Sequence, residues 1–396
     1  MKLFTAKNDI TSGKKIVLDD MILTKDMPCA AGSKMLEGYV SLFDATVAEK
    51  LTEGGFGICG KANVGEMSID LLGETSYFGM CEKDGVLSLP ASEIVMSGEA
   101  DGALTLDVNG SPRRGAALSG LVYVKPTYGT VSRFGTIPAA CSGDTVGVMA
   151  KSASLCADIL SAVSGYDAKD GTAHSDELCA KALSADKTVK KVAVVKSLYD
   201  TVDEDQKAKL DAAVSALKAD GVEVCEIDGE LLVSARVAWN ILMCAELCNN
   251  VSRYDGIKYG YRSPNYTTIG ELYTNSRTEA FGELLKTAIL YGSETLSDEN
   301  YMKMYDKSMR VRRVLSEYFG ELFGEYDALL LPAASKAYTV SDVENDKYIA
   351  FKENLYTAPA SITGIPAVVV GGVQLLGAAF SEGALIDLAK KLEKGE

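Results

Sequence analysis

At 396 residues the chain is long enough for two or three average domains, or for one large α/β core with insertions. Hydrophobic residues make up 47% and charged residues 24%, which argues against disorder; a formal net charge of −15 argues against tight, non-specific nucleic-acid binding, because phosphate neutralisation needs clustered Lys and Arg. No run reaches the roughly 18 apolar residues of a membrane span, the start MKLFTAKNDITSGKK has no apolar leader, and nine scattered cysteines without CxxC spacing read as reduced core residues, so a cytoplasmic protein with no membrane contact is expected.

Short β-branched runs alternate with amphipathic stretches, the pattern of an α/β sheet covered by helices. In chain order the expected strands are KIVL, GFGICG, GALTLDV, GLVYVK, KKVAVV, VEVCEI, YDALLL and PAVVVGGVQLL. A helix is expected in DATVAEKLTEGG with Asp44 as its N-cap and the following glycines as its stop, another in DEDQKAKLDAAVSALKADG, and the longest from about 297 to 323 with Met304, Ser308, Val311, Leu315, Tyr318 and Leu322 on one packed face. No internal repeat stands out. The polar loop YDAKDGTAHSDEL separates turn-rich from helix-rich sequence; the expectation is a single domain over 1–396, with a helical sub-region at about 179–325 inserted between sheet-forming ends.

The only histidine, His174, lies in that polar loop and reads as surface-exposed, so a histidine triad or a multi-histidine metal site is disfavoured and no metal or cofactor is expected. Adjacent Asp19 and Asp20 would point to opposite faces of a strand, which argues against a shared metal. Neither VNGSPRRG nor VVVGGVQ fits a phosphate loop. The run RVRR at 310–313 reads as a solvated helix face, and Trp239 as core. Serine, lysine and carboxylates remain as chemistry-bearing groups.

The segment ALTLDVNGSPRRGAALSGLVYVKPTYGTVSRFGTIPAACSGDTVG resembles the core of the amidase signature family, whose pattern is similar to GSDTGGSIRxPA followed by GLKPTYGRVSR. FDATVAEKLTEGGFGICGKANVGEMS also resembles that family. NNVSRYDGIKYGYRS, LYTNSRTEAFGE and YTAPASITGIPAVVVGGVQLLG resemble one branch of it, the glutamine-hydrolysing A subunits of tRNA-dependent amidotransferases. The resemblance spans nearly all of 10–392. It implies an α/β amidase-signature fold with a large mixed sheet covered by helices on both faces. It also implies hydrolysis of an amide C–N bond by a serine activated through a second, cis-peptide serine and a buried neutral lysine, without a cofactor. Partners would be other amidotransferase-like subunits or a second copy. By the same resemblance Ser111 falls on the nucleophile, Val108, Asn109 and Gly110 on the oxyanion turn, and Arg113 on a supporting arginine.

Several positions depart from the pattern. Where the family strand resembles IAIKDNI this chain reads IVLDDMI, which puts Asp19 at the lysine position; an acid adds negative charge where the relay needs a neutral amine. Lys14, Lys15 and Lys25 are the nearby amines. The glycine-serine loop is replaced by SLPASEIVMSGEADG, so the cis-serine position lands on Leu87 with Ser88 beside it as a substitute. Ala288 and Asn354 stand where an arginine and an acid would clamp glutamine, and Asn109 and Pro112 alter the nucleophile turn. Two readings follow: a binding or subunit-like paralogue whose amide hydrolysis is lost or impaired, or an active amidase with a rearranged relay through Ser111 and Ser88 and a substrate other than glutamine.

Overall fold

In a computed structural model, which describes residues 2–10, 13–185 and 187–393, the β-branched runs form thirteen strands. They are β1 (Phe4–Lys7), β2 (Lys15–Asp19), β3 (Gly57–Ala62), β4 (Glu82–Lys83), β5 (Val86–Leu87), β6 (Gly102–Asp107), β7 (Val122–Lys125), β8 (Thr145–Ala150), β9 (Lys191–Val195), β10 (Glu223–Ile227), β11 (Ala328–Pro332), β12 (Ala367–Val370) and β13 (Val373–Leu376). Eleven make one sheet in the order β1-β3-β2-β6-β8-β7-β12-β13-β11-β9-β10, and β4 with β5 forms a separate hairpin. The sheet is mixed: β2 runs parallel to β3 and β6, and β9 parallel to β10 and β11, whereas β8, β7, β12 and β13 pair antiparallel.

The central strands β6, β8, β7, β12, β13 and β11 are buried on both faces because alternate side chains enter two cores. Ile16, Leu18, Leu104 and Leu106 join Val47, Leu51, Ile159 and Leu385 on one face. Val17 and Ala103 join Ile94, Val95, Ala116 and Ala117 on the other. The helices Thr46–Glu53, Ala153–Val163 and Glu382–Leu392 thus cover one side, and Pro90–Ser97 with Ser111–Ser119 covers the side that carries the candidate site.

All eight expected strand runs are strands. PAVVVGGVQLL is two of them, because Gly371 and Gly372, at φ 56° and 78°, supply the two left-handed residues of a tight hairpin turn. β1 and β8 carry little sequence signal of their own and form by pairing with β3 and β6. The region 179–325 is not purely helical, since β9 and β10 extend the sheet; the strand-free stretch runs from Glu230 to Glu325.

Asp44 does not cap its helix. The helix starts at Thr46 behind Ala45, and Asp44 instead accepts from the Lys25 backbone N–H at 2.7 Å. The helix expected from 297 begins only at Tyr305, and the longest helix is Glu230–Val251, at 22 residues. Among the described residues this helix alone is long and apolar enough to cross a membrane, and 56% of its apolar window is buried inside the protein, as suits a core helix. Trp239 lies on it, buried against Gly143, where a Cβ would come within 2.1 Å of the indole. Arg310 and Arg313 are exposed and pair with Asp306 and Glu317 along their helix. All nine cysteines are unpaired, and no cluster of metal-ligating side chains occurs among the described residues. His174 is only partly exposed, because its Nε2 meets the Tyr128 carbonyl at 3.0 Å and its ring packs edge-on against Phe380.

The hairpin turn is testable. At Gly372 a side chain would need a positive φ and would press on Lys209 and the Ala117 carbonyl. Gly372→Val is expected to cost about 1–3 kcal/mol in urea unfolding, whereas Gly371→Asn, a residue that tolerates this backbone region, stays within about 1 kcal/mol of the parent.

Candidate active site

β6 ends at Asp107, and the chain turns through Val108, Asn109 and Gly110 into the helix Ser111–Ser119. Gly110 makes the turn possible: its φ is 86°, and a Cβ there would lie 2.3–2.5 Å from the Thr357 side chain. Pro112 sits in the first helical turn, where a missing N–H breaks no ladder bond. Ser111 thus stands at a helix N-terminus beyond the end of a central strand, the usual ligand position of an open α/β sheet. Among the described residues no hydrogen bond engages the Ser111 hydroxyl, and none uses the backbone N–H of Asn109, Gly110 or Ser111.

Two fully buried arginines hold this turn. Arg113 donates from Nε and Nη2 to both oxygens of Asp107, at 2.8 and 2.9 Å. Its remaining donors reach the Thr357 carbonyl, Gln374 Oε1 and Ser361 Oγ at 2.8, 3.0 and 2.8 Å, so all five N–H groups are used. Arg114 donates to the carbonyls of Leu71, Asp70 and Asn109 and to Thr357 Oγ1, with no carboxylate in contact. Burial pulls its pKa down, while Glu353 and Glu74 favour its charge from a distance. Burial raises Glu353 and Glu74 to about 7 each and also pushes Asp70 up.

Asp19 ends β2 on the same face, 3% exposed. Its Oδ2 accepts from the Leu106 N–H at 3.0 Å, and its Oδ1 has no partner among the described residues. Burial lifts its carboxyl to about 7, against the lowering effects of that hydrogen bond and of Lys61. Arg113 is committed to Asp107, so the partner of Asp19 is a backbone N–H. Asp20 faces elsewhere and accepts from Thr5 Oγ1 and Ala30 N.

Lys14 and Lys15 lie at the surface, as does Lys25. The buried amines are Lys61 on β3 and Lys125 on β7, which the sequence reading passed over; their signal was a lysine inside an otherwise apolar strand run, GICGKA and VYVK. Lys61 Nζ donates to the Ile22 carbonyl. Lys125 Nζ donates to the Ile365 carbonyl at 3.1 Å, and burial lowers its pKa to about 7.

Among the described residues no hydrogen bond joins Ser88 to Ser111. The Ser88 hydroxyl meets Cys81 Sγ at 3.1 Å, and Ser88 lines a cleft of about 300 Å³ with Leu72, Leu89, Gly115 and Leu118 but without Ser111. Ala288 is buried in the helix Glu283–Thr295. Asn354 is fully buried and joins Asn109: its Nδ2 donates to Asn109 Oδ1 at 2.8 Å and to Asn240 Oδ1 at 2.7 Å. Thr357, Gln374 and Asn240 also belong to this network, and nothing local in the sequence singles them out.

The network carries two tests. Removing the guanidinium in Arg113→Met leaves Asp107 buried without its partner and is expected to cost about 3–5 kcal/mol in urea unfolding. For Asp19, a folded pKa of about 7 against an ordinary 3.8 means that the folded state binds the proton more tightly. The contribution to stability is full below about pH 4 and is lost as pH rises through about 7. Asp19→Asn is therefore expected to match the parent near pH 4 and to exceed it by up to a few kcal/mol at pH 8, read as the difference between the two unfolding curves across that range.

A family model described as Amidase matches residues 8–84 and 91–385. The chain is 33% identical over 403 residues to the A subunit of the Clostridium botulinum glutamyl-tRNA(Gln) amidotransferase, covering 97% of this chain and 83% of that one. It is likewise 33% identical to the A subunit of the Listeria monocytogenes enzyme, over 98% and 84% of the two chains. The crystal structure of the corresponding A subunit from Thermotoga maritima superposes with a TM-score of 0.81 at 27% identity, covering 99% of this chain and 87% of that one. The urea amidolyase of K. lactis shares the fold, with a TM-score of 0.82 at 23% identity over 96% of this chain and 23% of that one.

Proposed function

The chain belongs to the amidase family, and from that premise we propose that it has given up amide hydrolysis and works by binding, as a subunit-like paralogue of the amidotransferase A subunits it resembles. One observation supports the reading: Asp19, which the sequence pattern sets where the relay lysine of the family is expected, is a buried acid fastened to the Leu106 N–H. An amine in that place would accept the relayed proton and become positive beside a developing oxyanion, whereas an acid that ionises there becomes negative and opposes it. Among the described residues neither buried lysine is hydrogen-bonded to Ser111: Lys61 Nζ donates to the Ile22 carbonyl and Lys125 Nζ to the Ile365 carbonyl. Ser88 is engaged with Cys81, and Ser111 has no hydrogen-bonded base among the described residues. Ala288 and Asn354 leave a glutamine zwitterion without its counter-charges. The relatives are named as subunits, so the proposed partners are other subunits of such an assembly or a second copy; the net charge of −15 disfavours direct contact with nucleic acid.

A second reading, an active amidase acting on an uncharged substrate, draws on the carboxyl of Asp19, which titrates near neutrality and has a free Oδ1. Serine reactivity separates the two. Loss of general-base help slows a serine by about a hundred- to ten-thousand-fold, so a fluorophosphonate probe is expected to leave Ser111 unlabelled under conditions that label an ordinary amidase to completion, and glutamine to yield no ammonia above background. Stoichiometric labelling at Ser111, lost in Ser111→Ala, would instead establish a living enzyme.

A further inference from the structure

Two departures that look independent along the chain, Asn109 in the turn and Asn354 at the clamp, are in direct contact across 245 residues. Their orientation is dictated from outside. Asn109 Nδ2 donates to the Ile69 carbonyl at 2.9 Å and, at 3.5 Å, to that of Ala350; Asn240 Nδ2 donates to the Phe351 carbonyl at 2.8 Å. Carbonyl oxygens only accept, so both asparagines must turn their NH₂ groups outward and their oxygens toward Asn354. Asn354 sits between two acceptors and has to present two N–H donors, which its single amide nitrogen does. An acid at 354 could not, because an ionised carboxylate has no donor and would face two carbonyl oxygens in a dry interior.

We propose that Asn109 and Asn354 are one linked feature: the carboxamide of Asn109 is an internal ligand, held in an amide-reading subsite two residues before Ser111 and built from Asn354 Nδ2 and the carbonyls of Ile69 and Ala350. The subsite's chemistry suits an uncharged primary carboxamide, with one donor for the amide oxygen and acceptors for both amide hydrogens. The chain's own side chain fills it, so an external amide is excluded whether or not a base serves Ser111. An acid at 354 and Asn109 are mutually incompatible, which accounts for the joint appearance of Asn109 and Asn354. Support for the subsite comes from beneath: Met67 and Ser68 both adopt positive φ, at 57° and 53°, and the three following residues, Ile69, Asp70 and Leu71, give their carbonyls to Asn109 and Arg114.

Chemical rescue tests the subsite without reference to turnover, so its outcome is independent of whether the protein is an amidase. Asn109→Gly removes a group with the heavy atoms of acetamide. The variant is expected to melt several degrees below the parent, and acetamide at tens of millimolar to restore much of that loss, whereas acetate and N,N-dimethylacetamide, which lack the charge or hydrogen pattern, do not. The pair Asn109→Ala with formamide repeats the comparison with one carbon fewer removed, should the glycine variant not fold. A double-mutant cycle tests the linkage: Asn354→Asp is expected to lower Tm sharply beside Asn109 at pH 8 and much less beside Asn109→Gly. Equal effects of acetamide and dimethylacetamide, or an Asn354→Asp penalty that is the same in both backgrounds, would overturn the proposal.

Discussion

The buried pair of Asp107 and Arg113 fastens the centre of this protein, because it ties together pieces of chain far apart in sequence, reinforcing the Asn354–Asn109 and Arg114–Thr357 contacts. Asp107 is the last residue of β6 and Arg113 lies in the helix that follows it, yet the guanidinium also binds Thr357, Ser361 and Gln374, which are 244 to 261 residues away. A dry ion pair of this kind is tolerable only when every donor is matched. Here all five are, so the geometry of the turn before Ser111, the helix Ala358–Thr363 and strand β13 are set together.

Around that pair the interior holds several buried ionisable groups. Asp19 is one of them, and its acid form is favoured by burial. A second guanidinium, Arg114, is held by carbonyl oxygens, with Glu74 and Glu353 supplying balancing charge at a distance. Both carboxylates are pushed toward neutrality by the same desolvation that disfavours the arginine's charge. Asp19, Glu74 and Glu353 each accept from at least one backbone N–H, which fixes these carboxyl groups in the interior.

The fold has meanwhile been kept. The sheet, its helical covers and the KPTYG turn superpose on an amidotransferase A subunit over nearly the whole chain. A sheet needs only apolar residues of suitable volume on alternating faces, which many sequences satisfy. Asp19, Asn109 and Asn354 fit this frame because each finds a hydrogen-bond partner in it.

Periodicity and turn chemistry made the strands legible: all eight expected runs formed, and the motifs around Ser111 placed its turn at the end of β6. Asp19 stood out only through the resemblance of IVLDDMI to a family strand, not through composition or periodicity. The paired strands β1 and β8, the start of the helix at Tyr305 and the true partner of Asp44 were not legible, because each depends on what a distant segment offers. So do the five bonds of Arg113, the burial of Lys61 and Lys125, and the contact of Asn354 with Asn109. A linear sequence determines which groups are available and the local geometry that alternation and glycine permit. Which donor meets which acceptor is decided only when burial strips away water, for then most polar groups find a partner wherever in the chain that partner lies, and one left without, such as Asp19 Oδ1, is a costly exception.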